Sequence, residues 1–407
     1  MYLSAIDRPS TRDRVRTRIG ANVFALGAVS LVTDISSEMV VAVLPVYLVI
    51  GLHLSPAAYG VLDGLYTGAT ALLRIVGGYL ADRTRRRKLV AGTGYAISAV
   101  AKLGLLVVGR SAVALGGVIA MDRAGKGLRT APRDALITLS TPPEGLGRAF
   151  GVHRTMDSVG AFLGPLVAVG VLALSAQSFD AVFVASLCVA MLGVLLLVLF
   201  VRDDRGTVPA AIPVSRSATS GLVHDPAVRR LVAAACLLGL VTVGDGFVYL
   251  LLQRREDLSI LWFPGLAVGT NLAYLALATP LGILADRIGR TRVMLCGYAA
   301  LVAVYLLLFG PLTGWPSLVL TLGLMGTFYA ATDGVLMALA GPVLPEQWRT
   351  TGIAVIQTGQ SLAYLVSSVL FGLAWQFLGI AAACQLAAGA VVLAIAATAW
   401  LLRTRTA

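Results

Sequence analysis

Charge is what this sequence has least of. Only 13% of its 407 residues are Asp, Glu, Lys or Arg, about half of the ~25% that is usual in soluble domains. Hydrophobic residues make up 58% of the chain, and the mean hydropathy is +0.87. There is too little polar surface to cover a soluble fold, so the composition predicts a membrane protein.

Cysteine and histidine are also scarce, which bears on cofactors and catalysis. The four cysteines lie inside apolar runs without ligand spacing and are interpreted as small core residues. The three histidines form no pair that would indicate a metal site. No nucleophile–base spacing is present either, so we expect neither a metal, nor a cofactor, nor an enzyme activity.

The apolar residues form runs that are long enough to cross a bilayer. Twelve such runs occur, at 24–50, 56–81, 89–109, 112–136, 149–173, 179–201, 230–252, 260–285, 292–310, 316–342, 351–376 and 379–402. An even number of crossings places both termini on one side of the membrane.

The net charge of +12 is a topology signal rather than a sign of nucleic-acid binding. With cytoplasmic termini, 23 of the 32 Lys and Arg residues lie at cytoplasmic loops, tails or helix ends, three lie outside, and six lie within spans. Because cytoplasmic loops of membrane proteins are enriched in Lys and Arg, this asymmetry predicts cytoplasmic termini. The expected location is the plasma (inner) membrane, crossed many times by a monomer embedded in lipid.

The chain is predicted to divide into two halves. A basic cytoplasmic tail covers 1–18, six-helix bundles cover 19–202 and 229–407, and a polar cytoplasmic linker covers 203–228.

These halves repeat short sequences. "GGYLADRTRRRK" at 77–88 corresponds to "LGILADRIGRTR" at 281–292, and "LVTD" at 31–34 to "LVTVGD" at 240–245. An internal repeat of this kind predicts a substrate site between the bundles, near the membrane midplane.

The repeated loop resembles a motif of the major facilitator superfamily. "GYLADRTRRRK" at Gly78–Lys88 and "GILADRIGRTR" at Gly282–Arg292 are similar to that family's cytoplasmic loop between its second and third helices. With the span number, repeat and linker, the resemblance covers the whole chain. It implies an all-α membrane protein with twelve transmembrane helices in two six-helix bundles, the major facilitator fold.

In that family the loop is a cytoplasmic gate. The resemblance therefore implies gate roles for Asp82, Arg83, Asp286 and Arg287. A basic loop that only sets the topology is the alternative interpretation.

The fifth span carries a second resemblance. Gly160, Gly164 and Pro165 in "GAFLGPLVAVG" resemble the antiporter motif of the drug–proton exchanging branches. The sequence departs from that motif at Ala168 and Val169. An ordinary packing face is the alternative, because glycines four apart let another helix approach closely.

The charged stretch "MDRAGKGLRTAPRDAL" at 121–136 falls within the fourth span. Asp122, Lys126, Arg129 and Arg133 are spaced 4, 3 and 4 residues apart, which puts them on one helical face. A charge at the bilayer centre costs at least ~3 kcal/mol, so this face is predicted to line the bundle interior or a water-filled path. The lower end, Arg133 and Asp134, lies level with Asp82 and is assigned to the gate.

Arg123 with Gly127 resembles the family's fourth-helix R-x-x-x-G motif. The resemblance implies that Arg123 takes part in proton coupling. A static ion-pair network that locks the first bundle is the alternative.

Further charges within the spans are candidate proton carriers, because a carboxyl group that can pair with a cation in the membrane is what proton exchange requires. Asp34 is the first choice by resemblance to family exporters. The predicted proton-coupling set is Asp34, Glu38, Asp122, Arg123, Asp157, Asp245 and Asp333. Asp63 fits a helix-to-helix hydrogen bond equally well.

Other polar groups within the spans are candidate substrate contacts. These are Lys102, Lys126, Arg129, Arg154, Asn271 and Gln357. Packing between helices is the alternative for Asn271 and Gln357.

The sequence leads to a hypothesis of a secondary active transporter, a proton-coupled small-molecule exporter that works by alternating access. The alternative is a symporter or uniporter for an organic anion, phosphorylated metabolite or metal chelate, because five cations lie within spans of the first half. A transporter-like receptor is not expected, since the short tails leave no room for a signalling domain.

Overall fold

The computed structural model describes residues 20–84, 86–142, 145–203, 225–333, 335–340, 344 and 349–403. For residues 69, 71–79, 81–82, 336–338, 349–351 and 354 it describes the backbone alone. The predicted tail 1–18 and most of the predicted linker 203–228 lie outside the described residues. Within these ranges the regular elements are all helical.

The described residues of the first half form six long helices. They are α1 (Ala21–Val46, continued by a π-helical turn at Tyr47–Gly51), α2 (Pro56–Thr84), α3 (Arg87–Val107), α4 (Ala112–Leu139), α5 (Leu146–Leu174) and α6 (Phe179–Phe200).

The described residues of the second half form eight helices and a short 3₁₀ turn, Ile260–Trp262. The helices are α7 (Pro226–Leu240), α8 (Asp245–Arg255), α9 (Phe263–Ile288), α10 (Arg290–Phe309), α11 (Trp315–Thr332), α12 (Val335–Ala340), α13 (Arg349–Leu378) and α14 (Ile380–Arg403).

Each predicted apolar run coincides with one helix or a pair of helices. Among the described residues, nine helical segments are long and apolar enough to cross a membrane. The helix α4 is not one of them, because the charged stretch interrupts its apolar sequence. The chain is thus a multi-pass helical protein, and twelve crossings stay a prediction.

Two predicted spans are not continuous helices. The run 230–252 is interrupted between α7 and α8, where Gly244 has an extended backbone and Asp245 begins α8. The run 316–342 is interrupted after α11, where Asp333 leaves the helical conformation. Non-helical backbone at membrane depth is tolerated where it is buried in protein or lines a cavity, so both breaks mark candidate functional positions.

The helices of each half pack mainly on one another. In the first half α1 packs against α5 and α6, while α4 packs against α2 and α3. In the second half α13 packs against α7, α10 against α14, and α11 against both α9 and α10. The main contacts between the halves are α2 with α13 and α5 with α9, so these pairs position any site between them.

The molecule has two distinct ends. We call the end with the repeated loops, after α2 and after α9, the motif end, and the other the opposite end. At the opposite end α2 and α13 lie in backbone contact: a Cβ atom on Gly64 would lie 2.9 Å from the carbonyl oxygen of Leu365. The ring of Phe247 lies 4.6 Å from that of Tyr59 and 5.0 Å from that of Phe371, centroid to centroid. The opposite end is therefore closed.

The motif end differs at the contact between α5 and α9. A cleft of about 420 Å³ opens there, lined by Arg154, Ser158 and Phe162 of α5 and by Leu275 of α9. Arg154 and Ser158 are exposed. The halves are thus sealed at the opposite end and separated by a cleft nearer the motif end.

Candidate functional site

The charged face of α4 lies at the centre of the first half. Arg123 and Arg129 are each 3% exposed, as is Lys102 of α3. Charges this deeply buried are stable only when they are paired or hydrogen-bonded. Their partners come from α4 itself and from the surrounding helices α1, α2 and α3.

The upper part of this face is an ion cluster around Asp122. The Asp122 carboxylate accepts a hydrogen bond from Nε of Arg123 at 3.0 Å and lies 3.6 Å from Nζ of Lys102. The Arg123 guanidinium also stacks on the ring of Tyr66 in α2, with Cζ 3.8 Å from the ring centroid. Asp122 thus has two cationic partners, and Arg123 is held from both sides.

The middle of the face joins α4 to α1. Nη2 of Arg129 lies 3.8 Å from Oδ1 of Asp34. The guanidinium lies over the ring of Tyr95 in α3, with Cζ 4.5 Å from the centroid. Nη1 of Arg129 is buried and has no hydrogen-bond acceptor within the described part of the chain. This arginine therefore keeps a donor that is free for another partner.

Asp34 also interacts with Asp157 of α5 and with Lys126 of α4. Two carboxyl groups at close range repel each other when both are ionised. Lys126 interacts with Asp34 and Glu38, both of α1. Asp34 thus lies beside a second carboxyl group, a lysine and an arginine.

The lower part of the face joins α4 to α5 and α1. Arg133 pairs with Asp134 at 3.0 Å and lies 3.9 Å from Oδ1 of Asp157. It also donates a hydrogen bond to Oγ of Ser30 at 3.3 Å, and this hydroxyl is hydrogen-bonded to His153 at 2.9 Å. Arg133 is therefore part of the central network, although the sequence placed it with the gate.

The other predicted substrate contacts are not part of this network in the described residues. Arg154 lies exposed in the cleft between α5 and α9, away from the central ion pairs. Asn271 is half-buried on α9, and Gln357 is exposed on α13. The structure thus brings Lys102, Lys126 and Arg129 together but leaves the remaining three candidates apart.

The two acids predicted within spans of the second half occupy the helix breaks, but Asp245 is only half-buried and Asp333 is exposed. Oδ1 of Asp245 accepts a hydrogen bond at 3.0 Å from the N–H of Gly246, at the start of α8. Oδ2 of Asp333 accepts one at 3.0 Å from the hydroxyl of Tyr274. Neither acid belongs to the ion network of the first half.

The predicted gate residues lie at the motif end. Asp286 pairs with Arg290, four residues later, at 3.1 Å and remains largely exposed. Arg83 and Arg287 are also exposed. The side chain of Asp82 lies outside the described residues.

The glycines of α5 face α1. A Cβ atom on Gly160 would collide with the carbonyl oxygen of Leu31, and one on Gly164 would lie 2.9 Å from that of Ile35. Pro165 is buried beside them. This is a close-packed helix pair that holds α1, and with it Asp34, next to α5.

Several functional neighbours escaped the sequence reasoning. The rings under Arg123 and Arg129, those of Tyr66 and Tyr95, carry no charge and were not identified. One signal was available: Tyr95 and Lys102 are seven residues apart on α3, which puts them on one face. The Ser30–His153 contact joins positions 123 residues apart, and no local spacing indicates it.

Comparisons with known proteins agree with this architecture. The chain matches the family model described as Major Facilitator Superfamily over residues 26–271 and 257–407. It is 30% identical over 370 residues to an uncharacterized MFS-type transporter of Methanocaldococcus jannaschii, covering 88% of this chain and 89% of the relative. An uncharacterized protein of Mycobacterium tuberculosis is 34% identical over 176 residues, or 41% of this chain and 42% of the other.

Solved structures of transporters share the fold. The crystal structure of the nucleoside transporter NupG superposes with a TM-score of 0.80 at 13% identity, covering 94% of this chain and 99% of that one. A peptide transporter POT variant superposes with a TM-score of 0.76 at 17% identity, covering 94% and 95%. At these identities the likeness concerns the fold.

Proposed function

Because the chain belongs to the major facilitator superfamily, we propose that this membrane transporter is a proton-coupled small-molecule exporter that works by alternating access. The observation that supports the proposal best is the buried contact of Asp34 with Arg129, beside Asp157 and Lys126. It places one carboxyl group among a second carboxyl group and two cations.

The proposed switch is a change of partner at Asp34. When Asp34 is ionised it pairs with Arg129, and its charge is compensated. When it takes up a proton the pair is lost, and the arginine is left buried with a weaker partner. An uncompensated buried charge is costly, so protonation changes which arrangement of α1 against α4 is favoured.

The proton-coupling role centres on Asp34, with Glu38 and Asp157 beside it. Asp122 and Arg123 are the fixed part of the network, because each has a close partner on a neighbouring helix in addition to their mutual contact. Asp245 and Asp333 lie outside it, at the breaks of the second half, and their coupling role stays a prediction.

The proposed topology has twelve spans and cytoplasmic termini. The pair α7 and α8 forms one broken span, and α11 with α12 forms another. The distribution of Lys and Arg supports a cytoplasmic motif end. With the opposite end closed, the molecule then faces inward, and Arg154 in the cleft lies where a substrate enters from the cytoplasm.

The gate proposal concerns the outward-facing state. Asp286 and Arg287 are exposed here, as expected for loop charges released when a cytoplasmic gate is open. Together with Asp82 and Arg83 they would re-form contacts between the halves when the motif end closes.

A specific observation also favours the second candidate, cotransport of an organic anion. Nη1 of Arg129 has no hydrogen-bond acceptor among the residues that the structure describes, and Lys126 lies next to the same carboxylate. A proton on Asp34 would free both cations for an anionic group, so proton and anion would bind together. Such coupling gives symport rather than exchange.

The direction of the pH gradient that drives accumulation separates the two candidates. The purified protein is reconstituted in liposomes with a mixed panel of organic cations, neutral compounds and organic anions, and lumenal contents are read by mass spectrometry. Exchange predicts accumulation with an acidic lumen. Accumulation with an acidic exterior establishes symport and contradicts the exporter, and accumulation that ignores the gradient contradicts both coupled mechanisms.

A further inference from the structure

A second carboxyl group, Asp63 of α2, makes contacts of a different kind from those of the central network. Its Oδ2 accepts hydrogen bonds from the hydroxyl of Tyr364 at 3.0 Å and from the hydroxyl of Ser368 at 2.7 Å. Both donors belong to α13. Asp63 therefore links the first half of the protein to the second, whereas the ion pairs around α4 all lie within the first half.

Asp63 lies in a closely packed part of the contact between α2 and α13. On α2 it lies between Gly60 and Gly64, where the backbone of α13 approaches most closely. Asp63 is half-buried, and Ser368 is fully buried. A carboxylate in such a place that loses its donors is left poorly satisfied, at a cost in free energy.

The break between α7 and α8 lies at the same place. A Cβ atom on Gly244 would lie 2.7 Å from Oδ2 of Asp63 and against the hydroxyl of Tyr364. Asp245, the next residue, interacts with Asp63 as a second acid. Only a residue without a side chain fits between the carboxylate and this tyrosine, so the broken span is packed directly onto the contact.

Opening of the opposite end would separate α2 from α13. The aromatic cluster of Tyr59, Phe247 and Phe371 would part by losing nondirectional apolar contacts. The hydrogen bonds of Asp63 would instead break as discrete bonds, and each would have to be replaced by water.

We propose that Asp63 is the gate residue of the opposite end: its carboxyl group holds α2 against Tyr364 and Ser368 of α13 and so stabilises the inward-facing state. The inference rests on the proposed alternating access, but it requires neither proton coupling nor a particular substrate. Asp63 is a positioning residue, because it acts on the relative placement of the halves.

The test measures how often this end opens. Leu365, which contacts Gly64 and Gly68 across the seam, is replaced by cysteine, and Cys188, Cys236 and Cys296 are replaced by serine or alanine. Intact cells are treated from outside with a membrane-impermeant maleimide. The labelling rate of Leu365→Cys then reports the open fraction, while buried Cys384 reports unfolding.

We expect Asp63→Ala to raise the labelling rate at least about 5-fold, with Cys384 still unlabelled. Asp63→Asn keeps an acceptor oxygen and should stay within about 2-fold of the parent rate. The double variant Tyr364→Phe, Ser368→Ala should match Asp63→Ala, and adding Asp63→Ala to it should increase the rate no further.

Ser186→Ala is the matched control, since Ser186 makes buried hydrogen bonds to Ser36 entirely within the first half. Its labelling rate should stay at the parent value. An unchanged rate in Asp63→Ala, or an equal increase in Ser186→Ala, overturns the inference. If Asp63→Ala misfolds, the labelling rate of the double variant Tyr364→Phe, Ser368→Ala tests the inference in its place, and an unchanged rate in that variant overturns it. Labelling needs no substrate or pH gradient, so a failure of proton-driven transport leaves this result intact.

Discussion

The guanidinium of Arg129 lies 3.8 Å from the carboxylate of Asp34, and this pair joins α4 to α1. The arginine is buried against Tyr95, and within the described ranges one of its nitrogens has no acceptor. The aspartate has Asp157 and Lys126 as further neighbours. The Arg129–Asp34 pair can rearrange, because the arginine keeps a donor for another partner and the aspartate has competing neighbours. The Asp122–Arg123 contact is more fixed, because Lys102 also pairs with Asp122 and Tyr66 stacks on Arg123.

Asp34→Asn should abolish proton-driven transport and leave expression intact. The amide keeps the shape of the side chain but cannot take up a proton, so the proposed switch is lost. The measurement is uphill transport in proteoliposomes under an imposed pH gradient. Asp180→Asn, which changes an acid in the first turn of α6, serves as the control. Full uphill transport by Asp34→Asn would refute the assignment.

Arg129→Gln should destabilise the protein more than the double variant Arg129→Gln, Asp34→Asn. Removing one partner of a buried pair leaves the other uncompensated, at a cost of about 3 kcal/mol. Neutralising both removes that cost. The apparent melting temperature of the detergent-solubilised protein gives the comparison, and additive effects of the two substitutions would show that the pair is not coupled.

Gly160→Ala should lower the free energy of unfolding by about 1–3 kcal/mol, the usual penalty for forcing atoms into a tightly packed interface. The added methyl group would collide with the backbone of α1 at Leu31. Gly170 lies on the same helix, where an added Cβ atom has open space, so Gly170→Ala should leave the stability unchanged. Equal thermal stability of the two variants would contradict the close packing of α1 on α5.

Asp286→Asn should reduce the transport rate about 5-fold while substrate binding to the inward-facing state stays unchanged. Asp286 is exposed and contacts only Arg290 among the described residues, so its proposed gate contacts form in the other state. Arg290→Gln tests whether the aspartate acts through this neighbour. If both variants reduce transport equally, the effect belongs to the local pair and not to a gate.

Much of the architecture could be predicted from local pattern, because the bilayer imposes it on every segment. The apolar runs of the predicted spans coincide with helices, since backbone groups in lipid must be satisfied within the segment. The spacing of Asp122, Lys126, Arg129 and Arg133 correctly indicated one interior face. The paired loops after α2 and α9 indicated the family that the comparisons establish.

The partners on that face could not be predicted in the same way. Arg129 contacts Asp34 and Tyr95, which lie 95 and 34 positions earlier in the chain, and Asp63 contacts Tyr364, 301 positions later. Such contacts depend on how rigid helices rotate and cross, which is a property of the packed bundle. The break before Asp245 likewise places Gly244 against Asp63 only once the halves have met.

The sequence by itself determined that the chain enters a membrane and which residues are too polar to face lipid, and it predicts which side the basic loops face. Those properties follow from the free energy of each segment in the bilayer, one helix at a time. Only the tertiary structure decided which buried charge meets which partner, because hydrogen bonds and ion pairs act over a few ångströms and require helices from distant parts of the chain to converge.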